Sequence, residues 1–301
     1  MPELSSPDLG PDRLHESVLA WYDDHARDLP WRRPGTTAWA VLVSEVMLQQ
    51  TPVERVLPVF AAWLDRWPEP AALAADAPGE AVRMWGRLGY PRRALRLHAA
   101  ATGCVQEHGG RVPDDVTALR ALPGVGEYTA AAVASFAFAQ RHVVLDTNVR
   151  RVHARVVGGV AFEPPGGTTA AERRAAAKLL PERPEAAARW AVAVMELGAL
   201  VCTARTPDCA RCPLSRECRW HRAGRPAWTG PPRRGQRYDG TDRQARGRLL
   251  AVLRDAVGAV PGATLDAVWP DAVQRARALD GLVTDGLVEP LPENEYRLPG
   301  S

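Results

Sequence analysis

Four cysteines fall within 17 positions, as Cys202-x6-Cys209-x2-Cys212-x5-Cys218, while a fifth, Cys104, stands alone. Whatever the rest of the chain does, it must gather a short loop around one centre. The N-terminus, Met1-Pro2-Glu3-Leu4-Ser5-Ser6, has neither a basic start nor an apolar core, so no secretory signal is read there. No run of about 18 apolar residues predicts a membrane span. These features predict a cytoplasmic protein with access to the chromosome. In that compartment clustered cysteines bind metal rather than form disulfides. Structural zinc sites usually pair their ligands across a longer gap. Here one close pair is flanked at six and five residues, a spacing that favours a cubane [4Fe–4S] cluster over zinc, with Cys202, Cys209, Cys212 and Cys218 as ligands. Cys104 reads as a small buried hydrophobe.

The remainder reads as helix. In Trp39–Gln50, apolar residues at 39, 42, 43, 46 and 47 follow the spacing of a helix face, and Val41 and Leu48 widen it until the helix is apolar nearly all round, hence buried. Helical patterns recur at Arg13–His25, Glu80–Trp85, Arg92–Glu107, Asp114–Leu122, Glu127–Phe138, Asn148–Val157, Thr169–Leu180 and Glu185–Cys202. The expected fold class is therefore all-α. A helical core over 1–220 would include the cysteine loop 202–218. A Pro-, Gly- and Arg-rich linker would span 221–237. A small module over 238–301 would order three helices and a β-ribbon as a winged helix does.

The net charge of +3 says little, but its distribution says more. Between Thr203 and Arg237 nine arginines face only Asp208 and Glu217, a local excess suited to a phosphate backbone. Arg205 and Arg211 lie between cysteines, where a pinned loop could present them to phosphates or simply offset an anionic cluster. Lys178 is the only lysine.

Leu122-Pro123-Gly124-Val125-Gly126 joins two helices through a sharp turn that Gly124 and Gly126 permit. The next helix starts at once, and its free N–H groups can hold a phosphate without reading sequence. With the following Ala-rich helix, this is the pattern of a helix-hairpin-helix DNA element. Two carboxylates stand out. Glu45, among Val41, Leu42 and Leu48, is costly as an anion, so its pKa should rise toward that of a general acid. Asp146, after Val-Val-Leu and before a helix, is an N-cap and is expected to stay ionised. A neutral acid and an anion form the pair that breaks glycosidic bonds.

These stretches together resemble the A/G-specific adenine DNA glycosylases, the MutY type of the helix-hairpin-helix superfamily. The resemblance rests on Leu29-Pro30-Trp31-Arg32, Ser44-Glu45-Val46-Met47-Leu48-Gln49-Gln50-Thr51, Leu88-Gly89-Tyr90, the hairpin, Leu145-Asp146-Thr147-Asn148-Val149-Arg150-Arg151 and the cysteines, over about residues 20–220. It implies that Glu45 protonates the adenine and handles the water, that Asp146 stabilises the sugar cation, and that Tyr128 and Asn148 support them. It further implies that Gln50, Thr51, Leu88 and Tyr90 meet the opposite base with Tyr90 as a wedge, that Trp31 and Arg32 line the adenine pocket, and that the base is flipped from double-stranded DNA by a monomer. Bifunctional relatives carry a lysine nucleophile where Tyr128 stands, so only base removal is expected.

Three departures qualify the resemblance. Val192 stands where the family has a Glu or Gln that holds the adenine. Pro91-Arg92-Arg93 follows Leu-Gly-Tyr and reads as charge added near DNA. The Nudix-like C-terminal domain that recognises 8-oxoguanine is not matched by the 65 or so residues after the linker. The expected reaction is removal of adenine opposite 8-oxoguanine or guanine. A thymine glycosylase for T opposite G, and a non-catalytic DNA-binding protein, are the other readings.

Overall fold

The computed structural model describes residues 11–231 and 238–300; the N-terminal hexapeptide and Arg233, Arg234 and Arg237 of the basic segment lie outside the described residues. In chain order the helices are α1 (Pro11–His25), α2 (Ala38–Leu48), α3 (Val53–Arg66), α4 (Pro70–Ala74), α5 (Pro78–Trp85), α6 (Arg92–His108), α7 (Val116–Ala121), α8 (Glu127–Phe138), α9 (Thr147–Val156), α10 (Ala170–Leu179), α11 (Pro184–Leu200), α12 (Arg219–Arg222), α13 (Asp242–Asp255), α14 (Gly262–Asp266) and α15 (Ala272–Thr284). Strand β1 (Val260–Pro261) precedes α14, and β2 (Glu289–Leu291) and β3 (Glu295–Arg297) follow α15. The chain is mostly helical, as its periodicity predicts.

These elements form two compact units, each assembled from separated lengths of chain. The first takes the chain through Thr36 and again over Glu127–Pro231; the second takes Thr37–Gly126 and the chain after Pro231.

In the first unit, α1 packs on α11 and α11 packs on α9. The reason is visible in the pattern: Leu14, Val18 and Trp21 of α1, Val149, Val152 and Val156 of α9, and Trp190, Val194 and Leu197 of α11 are all buried in one core. Each set repeats at three or four residues and so lies on one helix face. The buried cysteines Cys202 and Cys218 extend that core.

In the second unit, Trp63 meets Trp67 and Trp85 edge-on at 4.6 and 5.7 Å between ring centroids, and the Trp39 indole N–H donates to the Trp67 carbonyl at 3.0 Å. Helix α3 was not evident from the sequence, because Pro58 lies inside it. Pro58 removes one backbone bond near the first turns, but its exposed position leaves the orphan carbonyl to water. The isolated Cys104 is fully buried on α6, as its lone position suggests.

The C-terminal elements run helix, strand, helix, helix, strand, strand, with a three-stranded antiparallel sheet in the order β1-β3-β2. This is the winged-helix order with one strand more than the sequence pattern revealed, since two residues of β1 leave no periodicity to read. The turn between β2 and β3 is the expected Pro-Glu-Asn, with Glu293 and Asn294 left-handed at φ 62° and 58°. Within the second unit this module is tied to α5. Arg254 donates from Nε to the Val82 carbonyl at 3.0 Å, Arg83 donates to the Ala256 carbonyl at 2.8 Å, and the Gly79 N–H reaches the Pro299 carbonyl at 2.7 Å.

Candidate active site

Asp146 caps α9 as its sequence predicts. One carboxylate oxygen accepts the Val149 N–H at 2.7 Å and the other accepts from Asn148 Nδ2 at 2.8 Å. Asn148 is held in turn, its Oδ1 accepting from Arg151 at 2.7 Å, and Arg151 also donates to the Cys202 and Gly198 carbonyls at 2.8 and 2.7 Å. A Cβ on Gly198 would stand 2.7 Å from the Asn148 Cβ, so only glycine lets α11 approach the cap this closely. The cap offsets only part of the cost of burying this carboxylate. Burial pushes its pKa up, and the bonds from Val149 and Asn148 and the charge of Arg151 only partly oppose that rise.

Tyr128, half-buried, packs on the small cluster of Ala132, Val144 and Ala191 in the same unit. Trp31 is buried in a 3-10 turn, Pro30–Arg32. Arg32 donates to Glu196 Oε2 at 2.8 Å, and Arg27 forks onto the same carboxylate at 2.7 and 2.8 Å. The Glu196 side chain is wholly buried in the middle of α11. Burial acts to raise its pKa, but the bonds and charges of Arg27 and Arg32 prevail and hold it at about 2. Val192 sits one turn earlier on that helix, half-buried.

Glu196 is a residue that sequence reasoning missed, and it makes a prediction. Its folded pKa lies below the 4.5 of an unperturbed Glu, so its contribution is full above pH 4.5 and is lost as pH falls toward 2. Glu196→Gln is expected to cost about 3 kcal/mol at pH 7, since two arginines lose their anion. Urea unfolding should show the gap between variant and wild type narrowing below pH 4.5. Equal stability at pH 7 would refute the assignment.

The four cysteines lie in the first unit. Cys202 and Cys218 are buried, Cys209 and Cys212 half-buried. Burial pushes the Cys212 thiol up to about 12, and the thiols of Cys202, Cys218 and Cys209 add to the rise, so all four share one electrostatic neighbourhood. Among the described residues, no three His, Cys, Asp or Glu side chains close on a single ion. Arg155, almost fully buried, donates to Cys202 Sγ at 3.3 Å and to the Thr203 carbonyl at 2.7 Å, a fixed positive charge beside the Cys202 sulfur. Arg205 and Arg211 are exposed on the loop.

In the second unit, Thr37 caps α2, its hydroxyl accepting the Ala40 N–H at 3.1 Å. The helix then buries every residue from Trp39 to Met47, Glu45 included. After α2 the chain turns sharply: Gln50 is left-handed at φ 57°, and Tyr90, after α5, at φ 48°. Left-handed backbone is unusual for such side chains and collects at functional sites. Gln50 and Tyr90 are exposed, whereas Thr51 and Leu88 are buried.

Arg93 explains how both turns persist, and corrects the reading of it as charge aimed at DNA. It is only 5% exposed. It donates to the carbonyls of Val46, Met47, Gln49 and Gly89 at 2.8, 3.0, 2.6 and 2.9 Å, and to the Thr51 hydroxyl at 2.9 Å. Burial lowers its pKa to about 10, well above neutrality, so it remains a cation. Arg92, its neighbour, pairs with Asp285 at 3.1 Å. The hairpin turn itself closes with the Val125 N–H on the Leu122 carbonyl, with Gly124 at φ 80° and a would-be Cβ 2.7 Å from the Arg96 side chain. Gly126 leads directly into α8.

Comparison with known proteins bears on these features together. Residues 43–176 match the model of the HhH-GPD superfamily of base excision DNA repair proteins. The chain is 53% identical to the adenine DNA glycosylase of Mycobacterium tuberculosis (strain CDC 1551 / Oshkosh), over 97% of this chain and 95% of that protein. It is 55% identical to the adenine DNA glycosylase of Mycolicibacterium smegmatis, over 94% of this chain and 95% of the relative. Among solved structures, a thermostable thymine-DNA glycosylase superposes with a TM-score of 0.64 at 26% identity, covering 71% of this chain and 97% of that one. The similarity to adenine glycosylases thus runs through nearly the whole length, the C-terminal module included, and the chain belongs to the adenine DNA glycosylases of the MutY type, within the helix-hairpin-helix superfamily of base excision DNA repair proteins.

Proposed function

We propose that the chain removes adenine mispaired with 8-oxoguanine or guanine, as a monofunctional glycosylase acting on a base flipped from duplex DNA. The observation that carries this reading is Asp146: a desolvated carboxylate fixed by the Val149 N–H and the Asn148 amide. Such an anion suits the developing oxocarbenium ion, because its position and charge need no rearrangement during reaction. Glu45, buried in α2, delivers the proton that turns adenine into a neutral leaving group, then receives one from the attacking water. Asn148 orients Asp146, and Tyr128 supports the pair. Trp31 and Arg32 border the adenine. Gln50, Thr51, Leu88 and Tyr90 form the strip toward the opposite base, with Thr51 and Leu88 shaping it from beneath. Gly124 and Gly126 open α8 toward a phosphate.

Cys202, Cys209, Cys212 and Cys218 would hold a [4Fe–4S] cluster, which ties the loop together and keeps Arg205 and Arg211 in place for backbone phosphates. Strand cleavage through a lysine is not expected, as Lys178, exposed on α10, is the sole lysine. Likeness to a thymine-DNA glycosylase structure, together with Val192, keeps T opposite G as a second reading.

Purified protein incubated with duplexes carrying A opposite 8-oxoguanine, A opposite G, A opposite C and T opposite G separates these outcomes. Strand breaks at A that appear only after alkali are the expected result. Breaks without alkali would overturn the monofunctional assignment, and release of T in place of A would move the reading to the thymine branch.

A further inference from the structure

Glu196 sits in the middle of α11 with its side chain wholly removed from solvent, and two arginines from one short stretch of chain close on it. Arg27 approaches along its flat edge. Its Nε donates to Oε1 at 2.7 Å and its Nη2 to Oε2 at 2.8 Å, and the Arg27 backbone N–H adds a bond to Oε1 at 3.1 Å. Two parallel, charge-assisted bonds of this kind are the strongest form of the pairing. Arg32 reaches Oε2 with Nη1 at 2.8 Å and also donates to the hydroxyl of Tyr22, which is half-buried.

A buried ion triad is weak evidence for a scaffold alone, because apolar side chains of similar size often serve stability as well or better. Its place in the first unit points to a second use. Trp31 and Arg32 border the adenine in the reading above, and the same turn of α11 carries Gly198, whose backbone packs on Asn148 of the Asp146 cap. Val192, one turn earlier, offers no polar side-chain atom to a purine. The free edge of an arginine matches guanine rather than adenine. Two parallel N–H groups meet the O6 and N7 acceptors of guanine, whereas adenine sets an N6 amino donor beside its N7. In an A-opposite-G mispair both bases are purines, and an arginine with an open fork would draw in the wrong one. On Arg27 that fork is filled, since both of its arms end on Glu196.

We propose that Glu196 is a specificity-determining residue, which occupies the forked edge of Arg27 and so denies guanine the bidentate contact that would let it compete with adenine for the pocket. The proposal rests on the reading of the chain as an adenine glycosylase with Arg32 beside the base, and it adds Glu196 and Arg27 to the selectivity of that pocket. Glu196 touches the arginines and not the base, so it acts by position.

The test compares two duplexes by fluorescence anisotropy with the full chain. Each carries one purine opposite G, adenine in the first and hypoxanthine in the second. The sugar of that purine carries fluorine at C2′, which resists loss of the base. Hypoxanthine presents the O6 and N7 acceptors of guanine without its 2-amino group. The quantity read is the dissociation constant for the hypoxanthine duplex divided by that for the adenine duplex. Proteins compared are the wild type, Glu196→Gln, Glu196→Asp, and Glu196→Gln combined with Arg27→Met. The amide of Glu196→Gln keeps one acceptor and cannot fill both arms of Arg27, so the ratio is expected to fall at least about fivefold, the lower end of what one bidentate pair discriminates. Adding Arg27→Met should return the ratio to within about twofold of wild type, since no fork is then left to read O6. Glu196→Asp keeps an anion for the fold but sets it one methylene back, so the ratio should fall by less. A residue that only held the fold would weaken both duplexes alike and leave the ratio where it was. Circular dichroism and thermal transitions above the assay temperature confirm that the variants are folded. An unchanged ratio in folded Glu196→Gln, or a fall that Arg27→Met does not reverse, overturns the proposal; should Glu196→Gln not fold, an unchanged ratio in Glu196→Asp does so. Adenine release by wild type from the unfluorinated A-opposite-G duplex is scored separately. A ratio that moves as expected without any adenine release would leave the selectivity standing and sink the reaction; adenine release with an unmoved ratio would do the reverse.

Discussion

Asp146→Asn is expected to slow adenine release in single turnover by about 10²–10³-fold, the loss that follows removal of one preorganised charge-stabilising group. Asparagine isolates the charge because it caps helices as well as aspartate does, so α9 keeps its first turn. The amide supplies one acceptor where the carboxylate supplied two. It will keep the Val149 N–H and turn its nitrogen toward Asn148, at a cost of about 1–3 kcal/mol if that contact is left unmade. Thermal stability should therefore fall modestly while the rate collapses. The pH profile carries a second check. Burial raises the Asp146 pKa from its ordinary 3.8, so the acid limb of the wild-type rate should lie above that value. Asn148→Ala removes a bond that favours the ionised form and should move the limb to still higher pH. A wild-type rate that is flat down to pH 4, or an Asp146→Asn enzyme within tenfold of wild type, would remove Asp146 from the chemistry.

Glu45→Gln is expected to be as damaging by a different route, a loss of about 10²–10⁴-fold, the range for a positioned proton donor. The amide matches the carboxyl in shape, and α2 is held by the Thr37 cap and by burial on all sides, so the helix should not notice the exchange. Affinity for the 2′-fluorinated duplex should stay within about threefold of wild type, since the change touches no phosphate. Loss of affinity in parallel with rate would show that Glu45 serves binding instead of proton transfer.

Periodicity and spacing made much of this molecule legible. The buried helix α2, the Asp146 cap and the hairpin glycines are local patterns, and the structure reproduces them. Long-range pairs were not legible. Glu196 has the same signature as Glu45, an acid inside an apolar helical run, yet Arg27 and Arg32 that neutralise it lie 169 and 164 residues away. Arg93 shows the opposite case. Its position four residues before Leu97 and eleven before Cys104 puts it on the buried stripe of α6, a signal that its charge masks. Pro58 hid α3, because a proline ends most helices and only its exposed setting makes it tolerable here.

The interleaving of the two units bears on how the protein is made. A ribosome releases α1 long before α11, and at about 5–20 residues per second the nascent helix waits roughly 10–30 s for the partner that covers Leu14, Val18 and Trp21. During that interval the apolar stripe of α1 is open to solvent or to a chaperone. The second unit starts after the first and also finishes after it, since its C-terminal module is synthesised last. Nascent chains stalled shortly after residue 126 should therefore be protease-sensitive at their N-terminal end, and protection there should appear only once α11 has left the exit tunnel.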